Sequence, residues 1–183
     1  MRKLWIISLL ITPLFFDVPL AYTFEHIPHL VKLIARAMTL CINPAWLFIL
    51  GCGMLFIDRM LALCWAGTLG AGLFVVRGLK VAIGRPRPGM LLSHGEWLPH
   101  PFSFEATHMS CPSSHTFAIF VAATALGMRF PRHRGWFWGA AALLSLSRVV
   151  LDRHYLSDVA LAAVLGILGT KKIGQVIPAR LKH

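Results

Sequence analysis

Residues 60–83 read MLALCWAGTLGAGLFVVRGLKVAI: 24 positions without an acid, whose only charges, Arg77 and Lys80, stand near the far end. A run of that length and apolarity is enough to cross a hydrocarbon core of about 30 Å, which asks for about 20 residues of helix. Five more apolar stretches of comparable character lie on either side: Leu4–Ala21, Leu40–Ile57, Ser114–Met128, Gly135–Leu151 and Val159–Ile173. The expectation is an all-α polytopic membrane protein, a six-transmembrane-helix bundle in a single domain spanning residues 1–183. Composition agrees. Hydrophobic residues make up 57% and charged residues 14%, and mean hydropathy is +0.69, where soluble domains carry about 25% charge. Intrinsic disorder and a disulfide-rich secreted scaffold are excluded by the same figures and by only 4 Cys.

The segment between the first two stretches, Phe24–Cys41, repeats apolar residues at three- and four-residue spacing (Ile27, Leu30, Val31, Ile34, Met38), with His29, Lys32 and Arg36 opposite. That pattern predicts a helix lying in the interface between helices 1 and 2, or an extension of helix 2. The poor cleavage site Pro19-Leu20-Ala21 argues that the first stretch is retained as a helix. Six helices put both termini on one side. Ten of the 18 Lys and Arg fall there, Arg59, Arg129 and Lys171 among them, with Asp58 the sole acid. The cation bias makes that side cytoplasmic. The net charge of +11 is therefore read against a bilayer and not against nucleic acid. Cys41 and Cys111 fall on the opposite face, where a disulfide between them is conceivable.

Three constellations share that outer face. The first is Lys80-Val-Ala-Ile-Gly84-Arg85-Pro86-Arg87-Pro88, where a helix carrying cations must break. Alone, it reads equally well as basic residues holding lipid headgroups. The second, Cys111-Pro112-Ser113-Ser114-His115, opens the fourth helix with a serine cap, and free N–H groups at a helix start form an anion site. The third is Ser147-Arg148, then Asp152-Arg153-His154 and Asp158. Arg148 in hydrocarbon would cost about 2.5–3.5 kcal/mol, so it is expected to face a polar cavity. His154 and Asp158 are four apart, so the carboxylate can accept one imidazole N–H and leave the other nitrogen basic, although alone the pair reads more readily as a structural cap of helix six. An anion among these cations, between two histidines, suits phosphoryl transfer.

In order and spacing these residues resemble the type 2 phosphatidic acid phosphatase superfamily, in its membrane lipid phosphatase branch. Its signature, K-x6-R-P, P-S-G-H and S-R-x5-H-x3-D, is met by Lys80-x6-Arg87-Pro88, Pro112-Ser113-Ser114-His115 and Ser147-Arg148-x5-His154-x3-Asp158, with Ser114 at the usual glycine. The resemblance implies an integral inner-membrane hydrolase with its site facing the periplasm or exterior. In it His154 would form a phosphohistidine, Asp158 would orient it, and His115 would protonate the leaving oxygen. Lys80, Arg87, Ser113, Ser114 and Arg148 would bind the phosphate, with no metal or other cofactor. The implied partner is a membrane lipid phosphate: undecaprenyl pyrophosphate is favoured, ahead of phosphatidylglycerophosphate, phosphatidic acid or a lipid A phosphate. The same residues would serve a lipid-to-lipid phosphotransferase. A reading from another class is a metal-binding transport protein, with His108-x2-Cys111-x3-His115 and nearby His94 and His100 as ligands.

Overall fold

The computed structural model describes residues 15–176, and every regular element among them is helical. A helix over 15–25, α1, is followed by α2 (His29–Cys41), α3 (Pro44–Gly53) and the short α4 (Arg59–Ala62). A wider π turn, Leu63–Gly67, joins α4 to α5 (Thr68–Ile83). Then come α6 (Pro88–His94), α7 (Ser114–Arg129), α8 (Arg134–Val150) and α9 (Leu156–Val176).

Among the described residues, three helical runs, His29–Phe56, Arg59–His94 and Leu156–Val176, are long and apolar enough to cross a membrane. α7 and α8 fall short of that length at 16 and 17 residues. The first part of the Leu4–Ala21 stretch, with Arg2 and Lys3, lies outside the described residues, as do Arg180 and Lys182 at the other end.

Boundaries moved where side chains cap. Pro28 delays α2 to His29. The expected helix from Leu40 begins instead at Pro44, because the Asn43 side chain accepts the Ala45 N–H at 2.9 Å and proline occupies the first turn. α6 lies between the apolar stretches 60–83 and Ser114–Met128, outside every stretch for which a membrane helix is expected. Pro88 at its start and left-handed Gly95 at its end are the signals that mark it.

α7 is the central helix, packed against α3, α5, α8 and α9. Its alanines make this possible: Ala118, Ala122, Ala123 and Ala125 are all buried. A Cβ on Gly166 of α9 would stand 3.0 Å from the Phe117 carbonyl and 3.1 Å from Phe120 Cβ, so the two backbones run at a separation only a small residue allows. Leu69, Val76, Phe117, Val121 and Ala162 fill the core between α5, α7 and α9. Phe56, Phe74 and Trp136 point outward, almost fully exposed. Apolar surface outside and inside alike is the distribution a bilayer requires. At the opposite end of α7 from its serine cap, Arg129 Nε donates to Asp58 at 2.5 Å, while Asp58 also accepts the Leu61 N–H at the start of α4. Those two contacts hold the Asp58 carboxyl below its ordinary value.

Candidate active site

All three constellations converge on one end of the bundle. Lys80 ends α5, Arg87 follows the break, Ser114 and His115 open α7, Arg148 closes α8, and His154 sits in the turn before α9. Lys80, Arg87, Ser114, His115, Arg148 and His154 line one cavity of about 180 Å³, together with Arg77, Ala106 and Met109. Arg77 sits nearly one turn before Lys80 and adds a fourth cation.

The break that delivers Arg87 depends on Gly84. Its φ of +59° is left-handed, its N–H returns to the Lys80 carbonyl, and a Cβ there would collide with the His100 carbonyl. The Gly84 carbonyl accepts the His100 N–H at 2.8 Å. Arg87 N donates to the Thr107 carbonyl at 2.9 Å and Ser110 N to the Arg85 carbonyl at 3.0 Å, so the long 95–110 loop is stitched onto the 84–87 segment.

Buried Lys80 donates to the carbonyls of Met109 (2.7 Å) and Ser110 (3.2 Å), which hold its ammonium at the cavity wall. The buried Nε of Arg87 and of Arg148 each have no hydrogen-bond partner. Arg148 makes one long contact, Nη1 to Thr39 Oγ1 at 3.4 Å. Two guanidinium groups thus face the cavity with donors unspent, a disposition that costs free energy unless an anion takes them up.

Ser113 is fully buried and caps α7, its Oγ accepting from Thr116 N at 3.4 Å. It lies outside the cavity lining, whereas Ser114 is part of it. Phe102 and Asp152 are the non-glycine residues with positive φ among those described, so the backbone at Ser114 demands no glycine.

The expected hydrogen bond from His154 to Asp158 is not formed: the two stand 3.9 Å apart. His154 Nδ1 lies 2.7 Å from the Ser110 carbonyl instead. The carboxylate is fully engaged elsewhere. Its Oδ1 accepts from Arg85 Nη1 (2.8 Å), and its Oδ2 from Ser110 Oγ (2.5 Å) and Tyr155 N (2.9 Å). Asp158 therefore grips Ser110, and the Ser110 carbonyl grips the imidazole. An Nδ1–H donated to that carbonyl leaves Nε2 unprotonated. Complete burial, with Lys80, Arg148 and Arg87 nearby, holds the His154 pKa well below its ordinary value, so the ring is neutral at pH 7.

Behind Asp158 lies a network that the sequence reading missed. Arg85 Nη2 pairs with Asp17 of α1 at 2.8 Å. Asp17 in turn accepts from Ser157 N (2.9 Å) and Ser157 Oγ (2.5 Å). Arg85 also stacks over the Tyr155 ring at 4.1 Å. The available signal was Asp17 itself, an ionisable residue inside an apolar stretch, which requires a partner.

Of the metal-ligand set weighed for a transport protein, Cys111, His115 and His94 do not come together: His115 lines the cavity, Cys111 is buried, and only His100 and His108, among the described residues of that set, meet, around Glu96. Cys41 is exposed and Cys111 buried, and both are free thiols, so the disulfide considered above is absent.

Comparison with known proteins bears on the same residues. The PAP2 superfamily profile matches residues 61–180, a span holding all three constellations. The chain is 38% identical to a lipid A 1-phosphatase of Rhizobium etli over 88 residues, 48% of this chain and 38% of that protein. It is 28% identical to a lipid A 1-phosphatase of Rhizobium johnstonii, over 87% of this chain and 72% of the relative. No solved structure gives a significant match. With the profile covering most of its length and its motifs gathered around one cavity, the chain belongs to the PAP2 superfamily, among its membrane lipid phosphatases.

Proposed function

We propose that the chain hydrolyses a phosphate from a membrane lipid by way of a phosphohistidine, and that the lipid carries a lipid A-type phosphate. The observation that carries the reaction is the cavity: two histidines and four cations, two of them with unpartnered buried N–H groups, around a space of about 180 Å³. His154 Nε2 attacks phosphorus while the bond to the lipid oxygen breaks, and His115 gives that oxygen its proton. Water, deprotonated by His115, then attacks the phosphohistidine. Inorganic phosphate leaves and His154 is restored. Lys80, Arg87 and Arg148 neutralise the equatorial oxygens through both steps. Ser114 lines the site through the start of α7, and Ser113 acts as the cap that fixes it.

The lipid reading has support beyond the relatives. A second cavity of about 570 Å³ shares Arg87 and Arg148 with the first and is lined by Leu33, Leu40 and Leu151 alongside Arg36 and Arg153. A headgroup with further anionic groups fits its arginines, and acyl chains fit its leucines. Undecaprenyl pyrophosphate, favoured on motifs alone, yields here to lipid A phosphate because both relatives carry the lipid A 1-phosphatase name. In the topology we propose, six helices cross the inner membrane, α2 lies along its outer interface, both termini are cytoplasmic, and the cavity opens on the periplasmic side.

The test is phosphate release in detergent, with chelator, from lipid A 1-phosphate, phosphatidylglycerophosphate, phosphatidic acid and undecaprenyl pyrophosphate, comparing the natural chain with His154→Ala. Release from lipid A, lost in the variant, is expected. Phosphate moved onto a second lipid without release would make the enzyme a transferase. Equal release by both proteins would overturn the mechanism.

A further inference from the structure

The loop that walls the cavity holds a second cluster, none of whose members lines that cavity. Glu96 Oε1 lies 2.7 Å from His100 Nε2 and 3.0 Å from His108 Nε2. The two imidazoles face each other with centroids 4.5 Å apart, inclined at 57°, which turns both Nε2 atoms toward the same carboxylate oxygen. The three ligand atoms all lie within 4.8 Å of one another. Zinc bound at about 2.0–2.2 Å to tetrahedral ligands needs donor atoms about 3.3–3.6 Å apart, so small side-chain rotations suffice to receive it.

His108 makes the sharper case. Its Nε2 faces Glu96, while its Nδ1 stands 3.2 Å from Glu105 Oε2. Thr107 Oγ1 also stands 3.3 Å from Nδ1; a neutral imidazole has one N–H, so with Nδ1–H turned to Glu105 a neutral His108 presents its Nε2 lone pair to Glu96. A cation on Nε2, with Nδ1–H donated to Glu105, satisfies both sides at once. That is the carboxylate–histidine–metal arrangement by which an outer carboxylate fixes the tautomer of a ligating histidine.

We propose that Glu96, His100 and His108 form a zinc-class divalent-metal site that fastens the 95–110 loop over the active-site cavity. His108 is buried, Glu96 partly exposed and His100 exposed, so the ion enters from solvent and keeps a water as fourth ligand. The ligands sit among the loop's backbone anchors: His100 N on Gly84, Thr107 O on Arg87, Ser110 N on Arg85. Ala106 and Met109, flanking His108, are cavity-wall residues. The ion therefore fixes one wall of the cavity and takes no part in the displacement at phosphorus.

The experiment uses full-length protein in detergent, its affinity tag removed and its metal stripped by chelator, with Co2+ as the probe and Zn2+ as competitor. One equivalent of Co2+ should bind with the intense visible absorption of a four-coordinate ion, and Zn2+ should displace it and slow proteolysis within 95–110. His100→Ala changes an exposed side chain and should abolish the spectrum without disturbing the fold. Glu105→Gln should weaken binding about 10–100-fold, and His94→Ala, outside the cluster, should leave it unchanged. Absence of stoichiometric Co2+ binding, or a spectrum that survives in His100→Ala/His108→Ala, would overturn the site. None of these readouts depends on phosphatase activity.

Discussion

In the proposed mechanism His154 draws its reactivity from an unfavourable position. A buried imidazole among three cations resists protonation, and that resistance would keep Nε2 nucleophilic. The acid limb of kcat/KM assigned to His154 is therefore expected well below pH 6.5. Lys80→Met, removing one of the repelling cations, should move that limb to higher pH while lowering the rate. A limb near 6.5 in the natural enzyme would show that His154 is not the group titrating. The same displacement acts on stability. The unfolded chain takes up the proton near pH 6.5 and the folded chain does not, so stability conferred above that pH falls as pH drops below it. His115→Ala should cost about 10²–10⁴ in kcat, as for loss of a general acid, measured by phosphate release. Ser114→Gly should leave the thermal midpoint within a few degrees of the natural chain, because the helical backbone there needs no glycine.

At the scale of elements, site and scaffold are joined by the α1–Arg85–Asp158–Ser110 chain. Asp17→Asn weakens one side of a partly buried guanidinium's pairing, and since loss of a partner from a fully buried ion pair is worth about 3–5 kcal/mol, a smaller loss is expected here. Thermal unfolding in detergent should register that loss, and kcat should fall more than KM rises because His154 is held through this network. A KM effect alone would contradict a positioning role. Gly84→Ala should be among the most damaging single changes outside the cavity, since it meets both a left-handed φ and the His100 carbonyl. Loss of folded protein by size-exclusion chromatography is the expected outcome.

The legible part of this design is instructive. Lys80, Arg87, Ser114, His115, Arg148 and His154 stand at fixed spacings within motifs, and spacing is what sequence preserves, so their convergence was predicted. The partner of His154 was not. An i, i+4 pair looks sufficient on a helical net, but His154 precedes α9, and both oxygens of Asp158 are taken by groups up to 73 residues away. A backbone carbonyl such as that of Ser110 leaves no mark in the residue letters at all. The Asn43 cap and the Pro88–Gly95 helix, by contrast, did leave marks.

For the whole molecule, apolar surface inside and out divides the chain into a membrane part and one polar end. The proposed orientation predicts that a green fluorescent protein fused to the C-terminus fluoresces, whereas periplasmic alkaline phosphatase fused there stays inactive. The reverse pattern would invert the topology. The exposed Cys41, against three cysteines that are buried or partly so, offers a second readout, since a membrane-impermeant thiol reagent should label it from the periplasmic side.

Asp17 has one more implication. It precedes residue 61, where the family profile begins, yet it holds Arg85 inside the profile's span. A fragment excised at the profile's limits would carry all three motifs and lack this strut. The span that the family profile matches therefore leaves out one of the two carboxylates that hold Arg85, and a chimera that exchanges motif-bearing halves keeps the strut only if its first helix carries a matching acid.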